Sequence, residues 1–190
     1  APEIRYLAEI AQTPVASTVM ALGAMPYNHP LYLRMLGMHG TYYANMAVHQ
    51  CDLLIAVGAR FDDRVTSNVA TFAPNAQDIA HFDIEPTQIG RVMGNRTNIR
   101  VYGDANQNLK QLIEMLGKRR FRHDNWLDEI NQMKRSFPLH YDHSAHDEDI
   151  PVPYVVQVLG KYAKPTDIIV TDVGRHQMWN GLYYPFENPN

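Results

Sequence analysis

Along the chain, short segments rich in apolar residues alternate with segments whose apolar residues recur at helical spacing. Short runs rich in apolar residues and of strand length occupy residues 15–19, 52–57, 77–84 and 99–102. Between them, apolar residues at helical spacing indicate helices over residues 3–12 and 41–50. Because strands that alternate with helices are typical of βαβ units, the pattern predicts an α/β fold with a Rossmann-like parallel sheet flanked by helices.

A clearly marked helix follows the last of these strands. Asp104 is a suitable N-cap residue, and Gly117 is a suitable helix end. Between them, apolar residues recur at i, i+3, i+4 and i+7, as Leu109, Leu112, Ile113 and Leu116. We expect this helix to close a first domain that spans residues 1–117.

The next segment, residues 118–152, has the composition of a linker with one helix. Asp124 is the predicted N-cap of that helix. Its apolar face consists of Trp126, Leu127, Ile130, Met133 and Phe137. Residues 138–149 are polar and predict a loop. The basic run KRRFR at 118–122 has one aromatic residue and no companion basic patch, which argues against nucleic-acid binding.

A new pattern of helix and strand begins at Pro153. The helix is apolar on one face, at Val155, Val156, Leu159 and Tyr162. A strand is predicted at residues 168–171, followed by Gly174 and a further helix. One helix and one strand cannot bury their apolar faces alone. Residues 153–190 are therefore interpreted as the partial start of a second α/β domain, which is truncated.

Bulk composition narrows the class of protein. The 190 residues are 45% hydrophobic and 19% charged, as in a folded globular protein. A formal charge of -3 and a pI near 6.3 give no general attraction to nucleic acids or anionic membranes. The single cysteine, Cys51, excludes an internal disulfide and a multi-cysteine metal site. No apolar run reaches the roughly 20 residues of a membrane span and no signal-peptide pattern is present, so we expect a cytoplasmic protein or, in a eukaryote, a plastid or mitochondrial one.

The segment DLLIAVGARFDDRV, residues 52–65, carries the first candidate chemistry. Its apolar residues predict a buried parallel strand over residues 53–57, which ends at Gly58, and this glycine lets the backbone turn and approach a ligand closely. Arg60 and Arg64 follow directly. In α/β folds this arrangement places charge at the carboxyl edge of the sheet, where nucleotides and phosphorylated cofactors bind. The alternative is a solvated loop in which these arginines pair with the neighbouring aspartates.

Five segments, in their order and at their separations, carry a family resemblance. They are MLGMHGT (35–41), DLLIAVGARFDDRV (52–65), HFDIEPTQIG (81–90), VYGDA (101–105) and TDVGRHQMW (171–179). Together they resemble the catalytic subunit of acetolactate synthase (acetohydroxyacid synthase), a thiamine-diphosphate enzyme, over nearly the whole chain. The resemblance implies the central FAD-binding domain without its first strand, the linker, and the beginning of the C-terminal thiamine-diphosphate domain.

This resemblance implies a reaction, cofactors and partners. In the family, two pyruvates, or pyruvate and 2-oxobutyrate, condense with loss of CO2 to give 2-acetolactate or 2-aceto-2-hydroxybutyrate for branched-chain amino acid synthesis. The implied cofactors are thiamine diphosphate, a chiefly structural FAD, and Mg, whose ligands lie outside this chain. The activating glutamate belongs to another domain, so no catalytic residue is assigned here and the isolated chain is expected to be inactive. The full-length subunit is expected to form a homodimer or homotetramer, with a regulatory subunit as a candidate partner.

The resemblance also implies which residues line an extended FAD. They are Thr18, Val19, Met20, Met35, Leu36, Gly37, Met38, His39, Gly58, Ala59, Arg60, Asp62, Arg64, Val65, Asp83, Ile84, Gln88, Gly103, Asp104 and Ala105. Arginine guanidinium groups suit a diphosphate, and a carboxylate at a strand end, such as that of Asp83, suits a ribose hydroxyl. Core packing is the alternative role for Met35 and Met38, and a structural hydrogen bond is the alternative for His39.

A second cofactor segment, for thiamine diphosphate, is implied at Val173, Gly174, Arg175, His176 and Gln177. The segment follows the predicted strand and opens a helix, so its amides point where a diphosphate would sit. The family usually has glutamine at position 175; the arginine departs from that pattern but can still donate to phosphate. For His176, the alternative is a histidine at a helix start that contacts no ligand.

One histidine cluster resembles a metal site. His140, His143 and His146 lie three residues apart among carboxylates, and could bind a metal if the segment were helical. The flanking Pro138 and Pro151 and the polar composition favour a solvated linker instead.

Two other functions stay open at this point. A different thiamine-diphosphate carboligase, such as a glyoxylate carboligase, fits the same motifs because the residues that select the substrate lie mostly outside this segment. A non-catalytic nucleotide-binding module also fits. Assays of the full-length protein with pyruvate, 2-oxobutyrate and glyoxylate would distinguish the two carboligases. A natural gene that begins at residue 1 and ends at residue 190 would favour the module, whereas one that continues on both sides would favour a fragment of a larger enzyme.

Overall fold

The computed structural model describes residues 2–142 and 150–189. Its helices are α1 (Pro2–Ala11), α2 (Tyr42–Gln50), α3 (Asp63–Thr66), α4 (Ala105–Leu116), α5 (Asp124–Ser136), α6 (Val152–Tyr162) and α7 (Arg175–Tyr183). Its strands are β1 (Val15–Ser17), β2 (Tyr32–Met35), β3 (Leu53–Val57), β4 (Asp78–Asp83) and β5 (Ile99–Tyr102). The described strands pair in parallel and helices flank them, so the predicted α/β class is confirmed.

The described strands form two parallel sheets, one of β1 and β2 and one in the order β3-β4-β5. In the larger sheet the central strand β4 is buried from Ile79 to Asp83, whereas Leu53 on the edge strand β3 is 45% exposed. The strand at 53–57 is present as predicted, but the prediction that it is buried is wrong except at Ala56. An edge strand has a neighbour on one side only, so its ends stay accessible to solvent.

The strand β2 is missing from the sequence-based prediction. Arg34 interrupts its apolar positions, Leu33 and Met35, which are 2% and 1% exposed. The strand forms because pairing with β1 satisfies its backbone groups and because both apolar side chains reach the core. The local apolar run is interrupted and so is a weak indication of a strand, and the strand that stabilises it, β1, lies elsewhere in the sequence.

Element ends follow the capping chemistry in some places and depart from it in others. The predicted N-cap Asp104 is confirmed, since its carboxylate accepts from the Gln107 N–H at 2.9 Å. The predicted N-cap Asp124 is wrong: it is the first helical residue of α5, and His123 is the cap, without a side-chain hydrogen bond. The first strand ends at Ser17 rather than at residue 19, because a 3-10 turn begins directly after it.

The strand predicted at residues 168–171 is absent from the described part of the chain. Ile168 and Val170 are 84% and 87% exposed. A strand needs a neighbour to take up its backbone hydrogen bonds, and no described strand lies beside this segment. The helix expected after Gly174 is nevertheless present as α7.

The C-terminal helices α6 and α7 pack on β2. Met35 shares a buried cluster with Val156, Leu182, Tyr183 and Tyr184. This cluster anchors α7 directly beside the strand that leads into the segment MLGMHG. The predicted domain boundaries at 117 and 152 stay a prediction.

Candidate functional site

The residues predicted to line an extended ligand lie at the carboxyl ends of the five described strands. β1 leads into Thr18, β2 ends at Met35, β3 leads into Gly58, β4 ends at Asp83 and β5 leads into Gly103. The Gly58 N–H donates to the Phe82 carbonyl at 2.8 Å, and the Gly103 N–H donates to the Asp83 carbonyl at 3.0 Å. Since parallel strands within one sheet end at a common edge, the predicted segments lie at the carboxyl edges of the two described sheets, where α/β folds bind ligands.

The turn at Gly37 and Met38 packs against the backbone of Arg64 and Val65. The Met38 N–H donates to the Arg64 carbonyl at 2.8 Å, and the Asn45 side chain bonds both the N–H and the carbonyl of Gly37 at 3.0 Å. Gly37 has φ +100°, and a Cβ there would lie 2.4 Å from the Arg64 carbonyl oxygen. Only glycine fits at this position, because any side chain would collide with backbone.

Both arginines of the segment RFDDR, residues 60–64, are exposed to solvent. Phe61 is buried with φ +55°, a left-handed conformation that turns the chain sharply between Arg60 and Asp62. Arg60 lies 3.8 Å from Asp62, in an exposed pair, and the Asp62 carboxylate also caps α3. Arg64 is exposed, with Nη1 3.7 Å from the sulfur of Met38. Because an exposed ion pair at this distance is weak, both guanidinium groups stay available to an anion.

Buried polar groups cluster at the end of β4. Asp83 is 8% exposed, and its Oδ1 accepts from the Glu85 N–H at 2.9 Å. His81 is fully buried, with Nε2 3.8 Å from Asp83 Oδ2. Among the described residues, His81 Nε2 and Gln88 Oε1 are buried side-chain atoms without a hydrogen-bond partner. Sequence reasoning missed His81, although its spacing of two residues from Asp83 places both on one face of the strand.

The burial of His81 predicts a pH-dependent stability. Burial lowers the pKa of His81 from its usual 6.5 and outweighs the neighbouring Asp83 charge, which raises it. The folded state therefore keeps a neutral imidazole, whereas the unfolded chain takes up a proton below pH 6.5. The free energy of unfolding should fall as the pH drops below 6.5, by at most about 1.4 kcal/mol per pH unit from this residue.

Urea denaturation of the wild type and of His81→Phe between pH 7.5 and 5 measures this effect. Phenylalanine keeps an aromatic ring beside Phe61, whose ring centroid lies 5.1 Å from that of His81, and it cannot titrate. The slope should become shallower in His81→Phe and stay unchanged in the control His49→Gln, whose side chain is exposed. Equal slopes in the wild type and His81→Phe would contradict the prediction.

The remaining predicted flavin residues differ in accessibility. Met35 is 1% exposed and packs in the core, as its alternative role requires. Met38 and Ile84 are 54% and 66% exposed, and His39 is exposed. The Asp104 carboxylate is occupied as a helix cap, which leaves its backbone for contact with a ligand.

Arg96 is a second residue that sequence reasoning missed. Its Nη1 donates to the carbonyls of Phe72 at 2.8 Å and Val69 at 3.3 Å, and its Nη2 donates to the Ala73 carbonyl. Phe72 is buried and packs edge-on against Phe61 of the RFDDR segment, with centroids 5.9 Å apart. Arg96 therefore holds the loop that supports this segment. No sequence signal connects an arginine with carbonyls more than twenty positions away.

The predicted thiamine-diphosphate segment opens α7. Gly174 is the N-cap of the helix and makes no side-chain cap bond. A Cβ at Gly174 would lie 2.9 Å from Cε1 of the His176 ring, so the imidazole folds back over the glycine. Val173 is 84% exposed and Arg175 is exposed. Over residues 2–142 and 150–189, no hydrogen bond joins this segment to the predicted flavin residues.

Cys51 is expected to be unreactive. Its thiol donates to the Val48 carbonyl at 3.1 Å, and burial, with help from the Asp52 charge, raises its pKa to about 11. Compared with a thiol of pKa 9.0, its thiolate fraction at pH 8 is about 100-fold lower. Ellman's reagent at pH 8 should label the folded protein about 100-fold more slowly than the protein in guanidinium chloride. Equal rates would contradict this prediction.

Two other kinds of site are not found in the described part of the chain. No group of three or more histidine, cysteine or carboxylate side chains there is placed to hold a metal ion. The candidate histidines His143 and His146 lie outside the described residues, so the histidine cluster stays untested. Within residues 2–142 and 150–189, no helix combines the length and apolar character needed to cross a membrane.

Comparisons with known proteins agree with the motif-based resemblance. The family described as "Thiamine pyrophosphate enzyme, central domain" matches residues 1–112. The chain is 44% identical to acetolactate synthase 1, chloroplastic, of Zea mays over 98% of its length, and 40% identical to the acetolactate synthase isozyme 3 large subunit of Escherichia coli over the same share. It covers 29% and 33% of those proteins. The acetolactate synthase large subunit of Lactococcus lactis is 41% identical over 97% of the chain, which covers 31% of that protein. The chain thus spans about a third of the length of these relatives, and its predicted homology to acetolactate synthase catalytic subunits is confirmed.

Proposed function

We propose that this chain, which belongs to the thiamine pyrophosphate enzyme family through its central domain, is the middle part of an acetolactate synthase catalytic subunit. The full-length protein would condense two pyruvates, or pyruvate and 2-oxobutyrate, with loss of CO2. The observation that carries this proposal is the placement of the family's motif segments at the carboxyl ends of parallel strands. The same segments would be scattered if the resemblance were only one of composition.

The residues at this edge fit a bound FAD. Gln88 Oε1 is buried without a partner among the described residues, so it could accept a hydrogen bond from a ligand. Arg60 and Arg64 offer exposed guanidinium groups for a diphosphate, and the turn at Gly37 packs directly against the backbone of Arg64. The condensation involves no net redox change, so we assign to FAD a structural role, namely to order the turn at Gly37 and the segment RFDDR.

Thiamine diphosphate would be held by the start of α7. The N-terminal amides of a helix carry partial positive charge and lack intrahelical partners, and Arg175 adds a full positive charge beside them. His176, folded over Gly174, would contact the cofactor from the same turn. When bound, thiamine diphosphate supplies the carbanion-stabilising chemistry of the condensation. The ligands of Mg and the activating glutamate are assigned to parts of the subunit outside this chain.

Two further expectations belong to this proposal. The full-length subunit would form a homodimer or homotetramer and accept a regulatory subunit, since several relatives are named large subunits. It would act in the cytoplasm of a bacterium or in a plastid or mitochondrion of a eukaryote, in line with the bacterial and chloroplastic relatives.

An assay of the full-length protein tests the proposed reaction. With thiamine diphosphate, Mg and FAD present, pyruvate should give acetolactate, and added 2-oxobutyrate should give the mixed product. Activity with glyoxylate and none with pyruvate would replace the proposal with a glyoxylate carboligase. Absence of all carboligation, with FAD still bound, would favour a nucleotide-binding module.

The Arg64 side chain gives a separate test of the flavin site. Arg64→Gln keeps a polar side chain but removes the charge, so the dissociation constant of FAD should rise about ten-fold in the full-length protein. Arg119→Gln removes an exposed arginine in the linker and should leave it unchanged. Quenching of flavin fluorescence on titration measures both. Equal FAD affinity in the wild type and Arg64→Gln would remove Arg64 from the site.

A further inference from the structure

The strand β2 contains a bulge at Arg34. Val15 of β1 pairs with Tyr32, and Ser17 pairs with Met35, so an advance of two residues on β1 faces an advance of three on β2. Arg34 lies within this extra step and has φ +64°. A left-handed conformation is unfavourable for arginine, and bulges redirect the side chains that they carry. The surrounding contacts must therefore stabilise this conformation.

The bulge directs the Arg34 side chain to the end of α7. Its Nη1 donates to the Leu182 carbonyl at 3.3 Å and to the Tyr27 hydroxyl. The guanidinium carbon lies 3.7 Å from the centroid of the Tyr27 ring, which holds the planar group by a cation–π contact. Arg34 thus connects the loop before β2, the strand itself and the last turn of α7.

The Leu182 carbonyl is a fitting acceptor for this arginine. The last carbonyls of a helix lack intrahelical donors and carry partial negative charge. In α7, the Asn180 carbonyl is taken by the Tyr184 N–H at 3.0 Å, whereas the Leu182 carbonyl receives Arg34. A permanently charged donor at this end therefore satisfies a polar group and complements the helix dipole.

The same bulge lies between the two predicted cofactor segments. Met35, the next residue, begins the flavin segment 35–39, and α7 begins with the thiamine-diphosphate segment 173–177. Gly181 of α7 packs so closely on Met35 that a Cβ there would lie 3.3 Å from its sulfur. The backbone of Arg34 and its side chain therefore join one segment to the helix that carries the other.

We propose that Arg34 is a positioning residue that latches the C-terminal end of α7 to β2 and thereby sets the thiamine-diphosphate segment relative to the flavin segment. This inference rests on the proposed function for the identity of the two cofactors. It assigns to Arg34 no contact with either of them. The latch itself is a contact within the described chain and can be tested without cofactors.

Variants at position 34 separate the latch from the backbone conformation. Arg34→Asn removes the guanidinium group, and asparagine tolerates the left-handed region. Arg34→Gly removes the group and the conformational strain together. Arg34→Lys keeps a charged donor that can reach a carbonyl but cannot form the planar contact with Tyr27. Arg119→Asn, in the exposed linker, is the matched control.

Hydrogen exchange in the cofactor-free full-length protein tests the latch. The backbone amides of Tyr183 and Tyr184 should exchange about ten-fold faster in Arg34→Asn and Arg34→Gly than in the wild type, with Arg34→Lys between them. The amides of α4 should keep their wild-type rates. Unchanged exchange at the end of α7 in both Asn and Gly variants would overturn the latch, as would faster exchange throughout the chain.

Cofactor affinities in the full-length protein test the positioning role. Thiamine diphosphate should bind about ten-fold more weakly to Arg34→Asn, while the dissociation constant of FAD changes by less than two-fold. Equal weakening of both cofactors, or no weakening of either, would overturn the positioning role. If the wild-type protein binds no thiamine diphosphate, the proposed function fails, and the exchange experiment still decides whether Arg34 holds α7.

Discussion

Gly37→Ala is expected to lower the free energy of unfolding by about 3–5 kcal/mol and to weaken FAD binding at least ten-fold. The new Cβ would lie 2.4 Å from the Arg64 carbonyl oxygen and 2.9 Å from the Val65 Cα, both of which are backbone atoms that cannot swing away. The residue would also have to adopt φ +100°. The turn at Gly37 and the segment that holds Arg64 would move apart, and the predicted flavin site lies on both.

Gly94→Ala is the matched control for this substitution. Gly94 also has a positive φ, +57°, but no atom lies within 4 Å of its Cβ position. Gly94→Ala should therefore lower the free energy of unfolding only by the conformational penalty of a left-handed alanine, about 1–2 kcal/mol. Chemical denaturation of the two variants measures the difference, and flavin fluorescence measures the binding. A Gly37→Ala variant as stable as Gly94→Ala would show that the packing at Gly37 is not as close as the structure indicates.

Arg96→Met is expected to destabilise the protein by about 3–4 kcal/mol. Methionine keeps much of the side-chain volume but removes the guanidinium donor from the carbonyls of Val69, Phe72 and Ala73, of which, among the described residues, only that of Ala73 keeps a second donor, the Ala76 N–H at 3.2 Å. Ala73 has φ +46°, so the loop would also lose the contact that holds this unfavourable conformation. Release of Phe72 should then loosen its packing on Phe61 and reduce FAD affinity.

Two variants check this explanation by urea denaturation. Arg96→Lys keeps the charge but has no planar fork, so it should restore only part of the lost stability. Arg91→Met removes an exposed arginine nearby and should change the free energy of unfolding by less than about 0.5 kcal/mol. If Arg96→Met and Arg91→Met were equally stable, the bonds of Arg96 to the loop would not contribute to folding.

Elements whose stability is encoded locally could be predicted from the sequence. The helix after Asp104 has its cap, its apolar spacing and its terminal glycine within fourteen residues, and α4 spans Ala105–Leu116 as expected. The strand β3 is marked by a continuous apolar run that ends in glycine, and β4 and β5 by short runs rich in apolar residues that are followed by turn residues. In these cases the residues that form the element also carry the signal.

Elements that depend on distant partners could not be predicted in this way. β2 is interrupted by Arg34, and it forms because β1 pairs with it and because the core accepts Leu33 and Met35. Residues 168–171 have the apolar pattern of a strand and yet form none, since no described strand lies beside them. A strand is stabilised by its neighbours, and neighbours are not encoded in its own sequence.

The α/β class, the resemblance to a thiamine-diphosphate enzyme and the segments that carry its motifs could be derived from the amino-acid sequence, because glycines, caps and apolar runs act over a few residues. The contacts that hold these segments in place are visible in the folded structure alone. The clash that requires glycine at position 37, the reach of Arg96 to the loop at 69–73, the packing of His81 against Phe61 and the bulge that turns Arg34 toward α7 all involve groups far apart in the chain. Such contacts depend on which surfaces are brought together by close packing of the core, and short sequence patterns contain no information about that packing.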